Sequence, residues 1–386
     1  MTVFVRCREC LIPTTRPDTA FVGGLCSACI NHKKRAEIDW KPREAELVRI
    51  LESAPRNGSG YTCIVASSGG KDSTWQTLKM IEMGAKPLVV TATTCYLTSV
   101  GRRNIDNLAR FADTVELPEN RWWADRRWRK ARATLNRIGL EMVGDISLPE
   151  HLAIFSVPFR AAVEYGIPLV FYGECPQAIW GGPSGTEDAR TMTKRWVMEF
   201  GGLLQVRASD LVGVEGLTEE DVAYYRMPPD EDMKRVTAYF LGQFLEWNSR
   251  RNADVAEANG MTSVLPYPGN WLRGENLDNA MTGVHDHGAY RKYGLGRLSA
   301  QISADIRAGL ITRAEALEIV RERDGLFPET YMGVSLREVL SRIGMGRWRF
   351  MKALDRHTDW SLFSRVAKGR PILKEFDREE PCLQSA

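Results

Sequence analysis

Two groups of residues have the types and spacing to do chemistry. The first is Ser67-Ser68-Gly69-Gly70-Lys71-Asp72-Ser73, between the short apolar run Cys63–Ala66 and a helix-patterned stretch that stops at Gly84. Glycines let the backbone turn tightly and approach a ligand, and the amides opening the next helix point at an anion. Lys71 adds a positive charge, and the Ser68 and Ser73 hydroxyls can donate hydrogen bonds. Asp72 follows the lysine where a Walker A loop needs Ser or Thr, so this phosphate-binding turn is of another kind. The second group is Cys7-x2-Cys10 and Cys26-x2-Cys29, fifteen residues apart. Each pair can grip a metal from one tight turn, and four thiolates complete a tetrahedron. With every position filled, the expected Zn²⁺ is structural. It would fix a small N-terminal knob that could not bury a core alone. An iron–sulfur cluster is the minor alternative.

Weaker candidates are spread along the chain. Strand exits are where ligands sit in open α/β sheets. Glu174 lies at one, and reads equally as a group orienting a nucleophile or metal and as a solvated loop acid. Cys95 and Cys175 also fall at strand exits, with small buried hydrophobes as the commoner alternative. Residues 121–137 (RWWADRRWRKARATLNR) interleave Trp122, Trp123 and Trp128 with seven basic residues. Such a helix could bind single-stranded nucleic acid or a nucleotide-sugar diphosphate, or could simply pack its Trp face and solvate its Arg face. His285-Asp286-His287 lacks an obvious third ligand. Adjacent helical residues face apart, so polar contact with a substrate is favoured over a metal.

The elements that position these groups follow from periodicity. Apolar runs at Cys63–Ala66, Lys86–Thr93, Thr114–Leu117 and Pro168–Tyr172 alternate with helical patterns at residues 37–55, 73–84, 104–111, 121–142 and 151–165. That alternation predicts a parallel, doubly wound α/β sheet. Beyond about residue 208 strand signals fade, and Thr218-x-x-Asp221 and Thr312-x-x-Glu315 mark helix starts. The expected organisation is a four-cysteine zinc knuckle over 1–40, a nucleotide-binding domain over 41–208 and a mainly helical substrate domain over 209–386. The 386 residues carry 44% hydrophobic and 26% charged residues and a net charge of +3. This is the balance of a soluble globular protein and argues against a dedicated nucleic-acid binder. There is no apolar run long enough for a membrane span and no signal-peptide pattern, so a cytoplasmic location is expected.

The segment SGGKDS resembles the PP-loop of ATP pyrophosphatases of the adenine-nucleotide alpha hydrolase type. That likeness implies ATP bound through Ser67, Ser68, Gly69, Gly70, Lys71, Asp72 and Ser73, with Asp72 helping to place Mg²⁺ and pyrophosphate as the leaving group. Several stretches together resemble the N-acetyl sugar amidotransferase family of bacterial surface-polysaccharide pathways: the Cys-rich start, SSGGKDSTWQTLKM, GRRNIDNL, PEHLAIFSVPFRAAVEYGIPLVFYGE, GENLDN, HDH, KYGLGR and DIRAGLITRAEALEIV. The implied reaction turns an acetamido group into an acetamidino group. The amide oxygen is adenylated and ammonia displaces AMP, with Lys71, Asp72 and Glu174 as catalytic candidates. The chain departs from the family pattern at Cys175-Pro176 and Ala178-Ile179-Trp180, a stretch expected to line the sugar pocket. Gly173-Glu174-Cys175-Pro176-Gln177 lacks the last glycine of a glutaminase elbow and Thr2 follows Met1, so a separate glutaminase partner is expected. The competing readings are a PP-loop tRNA-modifying enzyme, with tRNA as substrate, and a nucleotide sensor without turnover.

Overall fold

The computed structural model describes residues 3–55, 58–117, 126–173, 175–200, 203 and 205–377, with Arg126, Arg127, Trp128 and Phe200 in backbone only. A hairpin, β1 (Phe21–Val22) and β2 (Leu25–Cys26), leads into α1 (Ser27–Ala36). Asp39 then caps α2 (Trp40–Ser53) by accepting from the Lys41 amide. The alternating region follows as β3 (Cys63–Ala66), α3 (Lys71–Glu82), β4 (Pro87–Ala92), α4 (Ser99–Leu108), β5 (Asp113–Leu117), α5 (Arg126–Val143), α6 (Leu148–Tyr165) and β6 (Leu169–Tyr172). Gly166, at φ 66°, ends α6, a conformation that costs a residue without Cβ nothing.

The helix at Asn104–Phe111 begins earlier than the periodicity suggests, at Ser99. The Thr98 hydroxyl accepts from the Gly101 amide at 2.9 Å, supplying an N-cap. Strand formation also continues past residue 208. After α7 (Pro176–Ile179), β7 (Thr191–Met192), α8 (Lys194–Phe200), α9 (Glu219–Val222) and α10 (Asp230–Met233), the segment Thr237–Phe240 forms β8. The central sheet has the order β5-β4-β3-β6-β8-β7, all parallel except the antiparallel pair β7–β8. The sheet therefore draws on chain beyond the expected boundary at 208. Thr237–Phe240 is a short run outside the strand–helix alternation that marks the earlier strands, so local periodicity does not distinguish it.

Alternation along the strands explains the two-sided packing. Ile64, Leu88, Val90 and Val170 face a core with Leu135, Leu152 and Phe159. Cys63, Val65 and Phe171 face the opposite core with Leu47, Trp75 and Met80. The chain then runs through α11 (Ser249–Ala258), α12 (Thr282–Tyr293), α13 (Arg297–Arg307) and α14 (Arg313–Arg323), and the hairpin β9 (Thr330–Tyr331) and β10 (Val334–Ser335). It closes with α15 (Leu336–Arg342), α16 (Arg347–Arg356), β11 (Phe363–Ala367) and β12 (Arg370–Leu373). Among the described residues, no helix is long and apolar enough to cross a membrane.

Candidate active site

The loop 67–70 leaves β3 at its C-terminal end. β3 pairs with β4 on one side and β6 on the other. That is the point where an open parallel sheet reverses strand order and opens a crevice for a ligand. Gly69 has φ +78°, and a Cβ there would stand 2.7 Å from the Ile105 amide nitrogen and 2.9 Å from the Asn104 carbonyl carbon. Only glycine fits. The Ser67 hydroxyl accepts from the Gly69 amide at 3.0 Å, and the Ser73 hydroxyl donates to the Gly70 carbonyl at 3.1 Å, so the turn is held by its own side chains. Gly70 caps α3 with no side-chain partner; the first amides of the helix are left for another acceptor.

Lys71 is buried and lies between two carboxylates, pairing with Asp72 and with Glu275 Oε1 at 2.9 Å. Burial by itself would depress its ammonium; Asp72 and Glu275 outweigh it and raise the pKa. Asp72 Oδ1 accepts from Asn252 Nδ2 of α11 at 2.8 Å. The far wall is the segment 274–278, which with Ser68–Ser73, Gly101 and Asn104 encloses a cavity of about 110 Å³. It is sewn to the β4 exit: the Thr98 amide donates to the Asp278 carbonyl at 3.0 Å, the Thr98 hydroxyl donates to the Leu277 carbonyl, and the Ala280 amide donates to the Tyr96 carbonyl at 3.0 Å. Gly101 is needed here too, since a Cβ would meet Asp278 Cα at 2.6 Å. Asp278 is partly buried, and desolvation by the surrounding wall pushes its carboxyl up to about 6.

A second cavity of about 400 Å³ shares Lys71, Asp72 and Glu275 with the first and continues past Arg16, Trp180, His285, Asp286 and Arg297. Arg16 Nη1 donates to the Trp180 and Gly181 carbonyls, the latter at 3.1 Å. The departing stretch 178–180 thus contributes Trp180 to this wall, tied to the N-terminal knob.

The HDH triplet does not act as one cluster. His287 is buried, with Nδ1 3.1 Å from the Gly325 carbonyl and its ring against Phe327; burial drives its pKa down to about 3. Asp286 is bound by Arg297 at 2.9 Å. His285 instead meets Asp145 and His151 from the α5–α6 region, a grouping with no signature in linear spacing. Burial would raise the Asp145 carboxyl, but His285 and His151 hold it well below the ordinary range.

The four N-terminal cysteines do converge. Cys7 Sγ lies 3.8 Å from Cys29 Sγ, and Cys10 Sγ 3.5 Å from Cys26 Sγ, with all four sulfurs within 4.8 Å of one another. Tetrahedral zinc with Zn–S near 2.3 Å needs sulfurs about 3.8 Å apart, so the set fits. The separations are too long for disulfides. The Cys26 amide donates to Cys7 Sγ at 3.3 Å.

Other expected residues are placed as follows. Glu174, Arg121, Trp122 and Trp123 lie outside the described residues. On α5, Arg132 is buried against Glu150 at 2.8 Å, and Arg137 pairs with Glu215, so part of the basic face holds the fold together. Cys175 and Cys95 pack in different hydrophobic clusters, and neither lines the two cavities. Gln243 Nε2 lies 3.1 Å from Cys175 Sγ. Glu275, within GENLDN, and Asn252 join the Lys71–Asp72 pair without any local spacing that marks them. Their part in the site comes from long-range contact.

Comparison with known proteins gives one family match. The model described as "LPS biosynthesis protein WbpG-like, C-terminal domain" matches residues 259–373, the segment that supplies the cavity wall at 274–278, His285 and Arg297. Among curated proteins no match is found. Among solved structures, NMN synthetase from Francisella tularensis is similar at 13% identity and a TM-score of 0.21, over 60% of this chain and 99% of that one.

Proposed function

We propose that this chain is an ATP-dependent amidotransferase of lipopolysaccharide biosynthesis, replacing the acetamido oxygen of an N-acetylated sugar by nitrogen to give an acetamidino sugar. The observation that carries this reading is the joint cavity. A glycine-cradled anion turn at the sheet's reversal point shares Lys71, Asp72 and Glu275 with a larger pocket walled by the WbpG-like segment. One end suits polyphosphate and the other a sugar.

An amide oxygen is a poor leaving group, and ATP, as co-substrate, turns it into one by adenylation with release of pyrophosphate. In this reading Ser67, Ser68, Gly69, Gly70 and Ser73 present amides and hydroxyls to the phosphates. Lys71 moves from its carboxylates to the departing negative charge. Asp72 would hold Mg²⁺, which neutralises phosphate charge; an acceptor-only carboxylate suits such a hard cation. Glu174 is proposed to orient the incoming nitrogen. The protein's work is positioning and charge stabilisation. Cys7, Cys10, Cys26 and Cys29 are proposed as a structural zinc site. The 1–40 knuckle, the sheet region and the helical C-terminal region are proposed as the working units, and ammonia is proposed to come from a separate glutaminase. The burial of Cys175 supports this, because an elbow nucleophile must be reachable.

The test is a mass-spectrometric product assay with ATP, Mg²⁺, ammonium and a panel of N-acetylated sugars, nucleotide-linked ones included. AMP and pyrophosphate should appear with a sugar product lighter by the difference between O and NH. Lys71→Ala should abolish both. ADP as product, or full pyrophosphate release by Lys71→Ala, would overturn the reading, and AMP formed only with tRNA and a sulfur donor would replace it.

A further inference from the structure

We infer a second metal centre, distinct from the cysteine cluster: a divalent cation of the zinc class held by Asp145, His151 and His285. The donor atoms of the three side chains lie within 4.8 Å of one another. Nδ1 of His285 is 2.8 Å from Asp145 Oδ1, and Nδ1 of His151 is 3.3 Å from Asp145 Oδ2. Two ligands about 2.1 Å from a tetrahedral zinc stand about 3.4 Å apart, so the two His–Asp separations are within a few tenths of an ångström of what such an ion needs. Two imidazoles and a carboxylate, with a further position open, form the donor set of exchangeable rather than structural sites.

Independent observations point to a ligand here. The His151 Nδ1 atom is buried and faces Asp145 Oδ2 at 3.3 Å without a well-aligned hydrogen bond. A cation between the two would be bound by both, and would satisfy a buried imidazole nitrogen better than this contact does. The surroundings are also those of a metal site, in which the ligands themselves are oriented by neighbours. The Ser147 amide donates to Asp145 Oδ1 at 2.8 Å. The other nitrogen of His285, Nε2, is 3.9 Å from Asp286 Oδ1, and Asp286 is fixed in turn by Arg297. Asp145 is buried, while the histidine side chains keep 24% and 21% exposure, so an ion and an outside ligand can reach the cluster. His285 lines the cavity that also contains Lys71 and Asp72. One ligand of the cluster thus borders the cavity that holds the anion turn's lysine.

The inference does not rest on the proposed reaction, and its test reads metal rather than turnover. Purified full-length protein is stripped and titrated with Co²⁺. The cysteine cluster reports through thiolate-to-metal charge-transfer bands. The second centre should add ligand-field bands from a nitrogen–oxygen environment, without charge transfer, and raise the stoichiometry to two ions per chain. His285→Gln and His151→Gln should each remove the second set and leave the thiolate bands intact, which also shows that the variant is folded. A wild-type titration that saturates at the thiolate bands alone, or nitrogen–oxygen bands that survive both substitutions, would overturn it.

Discussion

Gly69 and Asp278 show how single positions set the anion turn. Alanine at 69 would need a φ of +78° and a Cβ within 3.0 Å of two backbone atoms of α4. Gly69→Ala should cost about 2 kcal/mol of stability and greatly weaken ATP binding, read by denaturant unfolding and calorimetry. A variant with unchanged affinity would show that the turn does not meet the nucleotide. Asp278 gives a pH signature. Its folded pKa, about 6, lies above the ordinary 3.8 because burial penalises the charge. Its contribution to stability is therefore present below pH 3.8 and lost as pH rises through about 6. Asp278→Asn should match wild type near pH 4 and exceed it above pH 6, by up to about 3 kcal/mol. Equal melting curves at both pH values would place the charge in a better-solvated setting.

Between elements, Thr98 is the joint to test. Its hydroxyl caps α4 and bonds the Leu277 carbonyl, so one side chain ties the helix start to the cavity's far wall. Thr98→Ala should cost about 1–2 kcal/mol. Hydrogen exchange should quicken at Thr98 and Ala280, whose amides bridge the two segments. Unchanged exchange there would mean that the backbone ladder suffices without the cap. The α5–α6 pair illustrates a different kind of element contact. Glu150 accepts from both Arg132 and Asn136, which satisfies a buried carboxylate and withdraws one of the seven basic residues of 121–137 from any nucleic-acid surface.

Across the fold, the cysteine knob is fastened at several points. Arg313 of α14 donates to the Cys7 and Cys10 carbonyls at 3.3 and 3.2 Å, the Leu11 amide donates to Ser303 of α13, and Arg6 pairs with Glu375. A metal bound in the knob would therefore brace the C-terminal helices as well. Stripping with a strong chelator should lower the melting temperature of the full chain, with restoration by Zn²⁺. A melt indifferent to both would rule out a structural metal there.

What the sequence determined by itself was local. Ser67–Ser73 between a strand and a helix, the capping pairs Thr218/Asp221 and Thr312/Glu315, and paired cysteines at a ligand spacing are all written in short stretches of chain, because turns, caps and chelating loops depend on near neighbours. The alternation of Cys63–Ala66, Lys86–Thr93 and Pro168–Tyr172 with helical patterns makes the parallel sheet legible for the same reason. The tertiary structure decided the rest. It took Thr237–Phe240 into the sheet, put Glu275 and Asn252 on the Lys71–Asp72 pair, and split His285 from His287 to join Asp145 and His151. These groupings join segments far apart in the chain. They exist only because burial of the sheet faces and of the C-terminal helices brings distant segments together, and no spacing in the sequence encodes that.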